Sequence, residues 1–137
     1  MTGGLEGLCS WIMKSLFIAL LAVLAFTMMP SAQASEGQYR HVVLFKFKDS
    51  ATPDQIKEVE AAFRALPSKI SSILDLEWGT NVSPENKNEG FTHCFLVTFR
   101  DKEGVELYLP HPAHKAFGAT LHPILDKVLV IDFVAQK

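Results

Sequence analysis

Two cysteines in a chain of 137 residues, Cys9 and Cys94, are too few for a disulfide scaffold. Charge of one sign is also scarce. The 13 basic and 15 acidic residues leave a net charge of −2, without the basic excess of a general nucleic-acid binder. Glycine and proline, 8 and 7 residues, stand at ordinary levels, and the chain carries no internal repeat or low-complexity tract. Disorder, fibres and solenoids are therefore excluded. Glycine-rich nucleotide loops, a phosphate-binding loop and a nucleophile elbow are all missing. What remains is a chain 48% hydrophobic and 20% charged, of a length that suits one soluble domain with a short appendage.

The appendage is at the front. Lys14 supplies a positive n-region, Leu16–Met29 an apolar run, Pro30 a break, and Ala32-Gln33-Ala34 an A-x-A cleavage pattern. The run is shorter than the about 20 residues that a membrane span needs. Residues 1–34 are therefore expected to be a secretory signal peptide, and 35–137 a single domain. The other reading is an uncleaved anchor. Glu6 sits where a signal carries positive charge, which suggests that translation starts at Met13. The expected location is outside the cytoplasm, periplasmic or secreted, with no stable membrane insertion after cleavage. Cleavage would leave Cys94 as the lone cysteine, so no intrachain disulfide is expected.

Tyr39 to Lys48 alternates, with His41, Val43, Phe45 and Phe47 on one side and Val42 and Leu44 on the other, the period of a strand. Thr52-Pro53-Asp54-Gln55 is a capped helix start. Ile56, Val59, Phe63 and Leu66 follow at helical spacing, and Pro67 stops the helix. Ile70 to Val82 is predicted as a second strand, with Leu74, Leu76 and Trp78 opposing Ile73. After a polar loop, a third strand runs from about Phe91 to Arg100, with His93, Phe95, Val97 and Phe99 on one face. Asp101 caps a short helix bearing Val105 and Tyr108. A further helix opens at His111-Pro112-Ala113-His114 and carries Phe117, Leu121 and Leu125. Val128 to Ala135 is the last strand.

The order β-α-β-β-α-β predicts an α+β, ferredoxin-like sandwich: a four-stranded antiparallel sheet with helices on one face. The other face would carry Val42, Leu44, Cys94, Leu96, Val128 and Val130. Such an apolar face calls for a cover, and a second copy supplies one through a two-fold contact. A homodimer packed face to face is expected.

Chemistry is expected on the helix-covered face. His41 and His93 share it with Phe45, Phe95 and Phe99, and imidazoles among aromatic rings need polar partners. The plain reading of each is a core histidine bonded to a backbone carbonyl. Pro110 and Pro112 bend the chain between Tyr108 and His114 and can turn both towards one hollow. Histidine suits a general base and tyrosine an oxyanion donor. The plain reading there is a capping histidine and a packing tyrosine. His111, His114 and His122 also have a spacing that can be scored as a metal site, weakened by Pro112 and Pro123 and by the lack of a converging carboxylate or thiol. Cys94 falls on the opposite face, away from the histidines.

The segments His41-Val-Val-Leu-Phe-Lys-Phe-Lys48, Trp78-Gly79, Asn86-Lys87-x-x-Gly90-Phe91-Thr92-His93 and Tyr108-x-x-His111-Pro112-Ala113-His114 resemble the stress-responsive dimeric α/β barrel (Dabb) family. The likeness spans about residues 39 to 134 and, within the family, is greatest to a plant polyketide cyclase. The resemblance implies a ferredoxin-like subunit dimerising into a barrel. It also implies an aldol-type cyclisation without cofactor or metal, with His114 as base and Tyr108 as oxyanion donor. A ligand pocket would be lined by His41, His93, Phe45, Phe63, Phe95, His111 and Phe117, where Phe63 replaces a pocket tyrosine of the cyclase. Two functions are carried forward, with the histidine metal site as a third. One is an exported domain that holds a small apolar or carbonyl-containing ligand between sheet and helices. The other is a cofactor-independent acid/base cyclase or lyase.

Overall fold

The computed structural model describes residues 37–136, so the signal peptide and start site expected within 1–34 lie outside the described residues. Strand β1 is Tyr39–Phe47, helix α1 Pro53–Arg64, β2 Ile73–Thr80, β3 His93–Phe99, α2 Lys102–Tyr108, α3 Pro112–Leu121 and β4 Leu125–Val134. The strands form one antiparallel sheet in the order β2-β3-β1-β4, the ferredoxin-like arrangement. Among the described residues no helix is long and apolar enough to cross a membrane.

Local chemistry sets the helix starts. Thr52 and Gln55 form a reciprocal capping box, the Thr52 hydroxyl accepting from the Gln55 N–H and the Gln55 side chain accepting from the Thr52 N–H at 2.9 Å. Asp101 accepts from the Gly104 N–H at 3.1 Å and starts α2. Gly104 favours close packing: a Cβ there would meet the Phe99 Cβ at 3.0 Å, so a larger residue would press α2 away from β3. The helices bury Val59, Phe63, Val105, Tyr108, Phe117 and Leu121 against Val43, Phe45, Phe95, Val97 and Phe99 of the sheet. Phe63 and Phe95 stack at the centre with ring centroids 4.1 Å apart.

Four expectations change. The second strand starts at Ile73, because Leu66–Ser68 forms a short 3-10 turn that seats Leu66 and Ile70 in the core. An irregularity between Ile73 and Asp75 then breaks the alternation: Ile73 faces inward opposite Phe99, Leu76 and Trp78 share its side, and Leu74 is exposed. Third, Leu125 belongs to β4 rather than to the preceding helix, which ends at Leu121. Fourth, the faces of β4 are exchanged. Val128 pairs with Phe45 and Val130 with Val43, so both lie on the helix side. Leu129, Ile131 and Phe133, opposite Leu44, Val42 and Arg40, are the residues that extend the outer apolar face. Alternation separates two sets of side chains but leaves open which set faces the helices, and a shift of one residue exchanges them.

Candidate functional site

The site is built where the Pro-bent segment meets the edge of the sheet. Tyr108 is the last residue of α2, and Pro110 and Pro112 bracket the bend. His111 takes an extended conformation there, and its Nδ1 accepts from the Ala113 N–H at 3.1 Å. The ring thus caps α3, with Pro112 at the first helical position. This cap places His114 in the first turn, facing back to Tyr108 with ring centroids 4.2 Å apart. Tyr108 in turn meets the ring of His41 on β1 at 5.8 Å.

These three rings stand at the wall of a cavity of about 490 Å³ between α3, β1 and β4. Phe45, Phe63, Phe117, Val43 and Leu121 line its inner side, and Val128, Val130 and Asp132 its β4 side. Asp132 is a site residue that sequence reasoning missed. Its carboxylate accepts from His41 Nδ1 at 2.6 Å, giving a buried imidazole its polar partner. The available signal was one acid in the run Val128-Leu-Val-Ile-Asp-Phe-Val134.

The electrostatics follow from burial. His114 Nδ1 donates to the Leu109 carbonyl at 3.0 Å, because a carbonyl can only accept. In the neutral ring Nε2 then carries the lone pair, and Nε2 has no hydrogen-bond partner among the described residues. Burial pulls the His114 pKa below the ordinary histidine value. The Leu109 bond partly opposes this and the nearby His41 adds to it. Tyr108 is 1% exposed, and burial pushes its phenol above the ordinary tyrosine range. Its hydroxyl makes no hydrogen bond to any described residue. The pair is thus a neutral base beside a protonated phenol at neutral pH.

Not every expected residue converges here. His93 shares the sheet face of His41 but lies opposite Phe45, about 13 Å along the strand at roughly 3.3 Å per residue. Both its nitrogens are engaged, Nδ1 with the Thr92 hydroxyl at 2.8 Å and Nε2 with Glu60 at 3.0 Å. It borders a separate cavity of about 540 Å³ with Leu44, Cys94 and the 87–89 loop. Phe95 is fully buried beneath Phe63 and Phe45 and supports the cavity floor without lining it. His111 is occupied as a cap and lies outside the cavity lining. That removes one ligand from the proposed histidine trio. Among the described residues no group of three metal-ligating side chains converges.

Comparison with known proteins agrees with this architecture. A stress-response A/B barrel domain-containing protein of Arabidopsis thaliana, HS1, is 41% identical over 101 residues, covering 74% of this chain and 93% of the relative. Olivetolic acid cyclase of Cannabis sativa is 36% identical over 98 residues, covering 72% and 97%. A dimeric protein of ferredoxin-like fold and unknown function from Bacteroides fragilis superposes with a TM-score of 0.61 at 30% identity, covering 73% and 98%. The stress responsive A/B barrel domain matches residues 39–135, almost the whole described chain, and the protein belongs to that family.

Proposed function

We propose that the cavity takes a small, mostly apolar carbonyl compound and that His114 and Tyr108 carry out acid/base chemistry on it. One observation carries this reading. At the wall of an apolar cavity, a neutral imidazole with a free Nε2 stands beside a phenol whose hydroxyl has no partner among the described residues. His114 Nε2 removes a proton from carbon next to the carbonyl. The C–H electron pair passes into the carbonyl as an enolate, and Tyr108 donates a hydrogen bond to the developing oxyanion. The enolate then either recovers that proton from the His114 imidazolium or adds to a second carbonyl of the same molecule, closing a ring, and the alkoxide so formed takes the proton back from His114. The cyclase among the relatives favours ring closure as the physiological outcome. The pair His41–Asp132 stands behind Tyr108 and holds the polar end of the cavity in shape.

The test is deuterium incorporation, followed by NMR, at the α-carbon of acetophenone, 4-acetylbenzoate and acetylacetone. The protein is expected to accelerate exchange, and His114→Ala to slow it by about 10²- to 10⁴-fold. Protonating the base removes its lone pair, so the rate falls as pH falls. Because burial lowers the His114 pKa, the plateau should extend below the usual histidine value of about 6.5. Exchange by the protein at the uncatalysed rate on all three compounds, with binding retained, would leave a binding domain and end the catalytic reading.

The same family evidence supports a two-fold homodimer through the outer face, where Leu44, Leu129, Ile131 and Phe133 form an apolar surface. Ile131 is 50% exposed in the single subunit, so a charge there is tolerated by the monomer and costly in an interface. Ile131→Asp should elute as a monomer in size-exclusion chromatography with light scattering. Elution unchanged from that of a dimeric parent would place the interface elsewhere.

A further inference from the structure

The mouth of the cavity carries basic side chains without partners, whereas the carboxylate in the lining, Asp132, is held by His41. Lys115 and His122 both line it from α3 and its C-terminal cap, and both are exposed. With Gly118 they fall at i, i+3 and i+7, one stripe of the helix. The His122 ring leans back over Gly118, where a Cβ would lie 3.5 Å from its Cε1, so the imidazole lies along the cavity wall. Neither Lys115 nor His122 has an ion-pair or hydrogen-bond partner for its side chain among the described residues. Asp132 is the lone carboxylate among the lining residues, and His41 already holds it. The rim therefore offers an uncompensated ammonium and an imidazole N–H, while the interior offers aromatic carbon and the Tyr108 hydroxyl.

We infer that the natural ligand is a carbonyl compound that also carries a carboxylate, bound with its carboxylate at Lys115 and His122 and its carbonyl towards Tyr108. This rests on the cavity being the ligand site, as proposed above, and adds the class of molecule and its orientation. Lys115 attracts the anion and contributes a charge-assisted hydrogen bond. His122 adds an N–H from the neighbouring turn, since either neutral tautomer carries one. An uncharged analogue of the same shape gains neither contact.

The probes are 4-acetylbenzoate and its methyl ester, titrated into the purified full chain at low ionic strength. The acid should bind about fivefold more tightly than the ester, the upper end of what an exposed ion pair contributes, and the preference should shrink as salt is raised. Lys115→Met should bring the ratio close to one. His122→Leu should reduce it, whereas His122→Gln, which keeps an N–H, should retain most of it. Equal affinity for acid and ester in the parent, a preference that survives Lys115→Met, or no binding of either probe at millimolar concentration would overturn the inference. Deuterium exchange measured on the same samples separates the two claims. Exchange without acid preference defeats only the rim, and acid preference without exchange defeats only the catalytic reading.

Discussion

Phe95→Ala is expected to cost about 3–5 kcal/mol and to lower the melting temperature by roughly 15 °C or more. The residue has no exposed surface, stacks on Phe63 at 4.1 Å, and meets Phe45 at 5.4 Å and Trp78 at 5.6 Å. Removing the ring leaves a void at the point where helix α1 and three strands share contacts, and neighbouring rings cannot all collapse into it. A single domain has about 5–15 kcal/mol of stability in total, so this change alone brings the chain near its unfolding threshold. Phe95→Leu retains most of the volume and should cost under about 1.5 kcal/mol. Urea titration of both variants checks the claim. If alanine costs no more than leucine, the aromatic stack is not the centre of the core.

Tyr108→Phe should separate stability from chemistry. The ring packs against Phe99 and against the imidazoles of His41 and His114, and the hydroxyl makes no hydrogen bond to any described residue, so its removal orphans no partner. The melting temperature should stay the same or rise slightly. The rate of α-carbon exchange should fall by about 10²- to 10³-fold, the usual effect of losing one oxyanion donor. The binding constant for the ketone in its ground state should change far less, because the hydrogen bond strengthens as negative charge develops on oxygen. A phenylalanine variant with full activity would remove Tyr108 from the reaction. One that is markedly destabilised would mean that the hydroxyl has a structural partner.

Most of the fold was legible because it rests on local signals. The capping box at Thr52, the Asp101 cap, the alternation of β1 and β3, and the proline bend each lie within a few residues of the feature they set. What was not legible depended on pairing between distant segments. The face of Val128 and Val130 is decided by their register against β1, which no feature within β4 specifies. The same register brings Asp132 to His41, so one unread pairing hid both the correct face of the strand and a residue of the site. At the site, His41, Tyr108 and His114 met as their elements implied. His93 did not join them because a shared sheet face says nothing about position along the strand. His111 was lost to the cavity for a reason visible in its own segment: it stands directly before Pro112 and an N–H that needs an acceptor, and its ring supplies one.

The hydrogen bond from His41 to Asp132 joins residues 91 positions apart, on the first and last strands of the domain. A chain emerging from the ribosome therefore cannot finish the polar end of the cavity until β4 has been synthesised and has docked beside β1. Any molecule that needs this corner for its capture would ignore truncated or half-folded copies, and its retention would serve as a readout of completed synthesis.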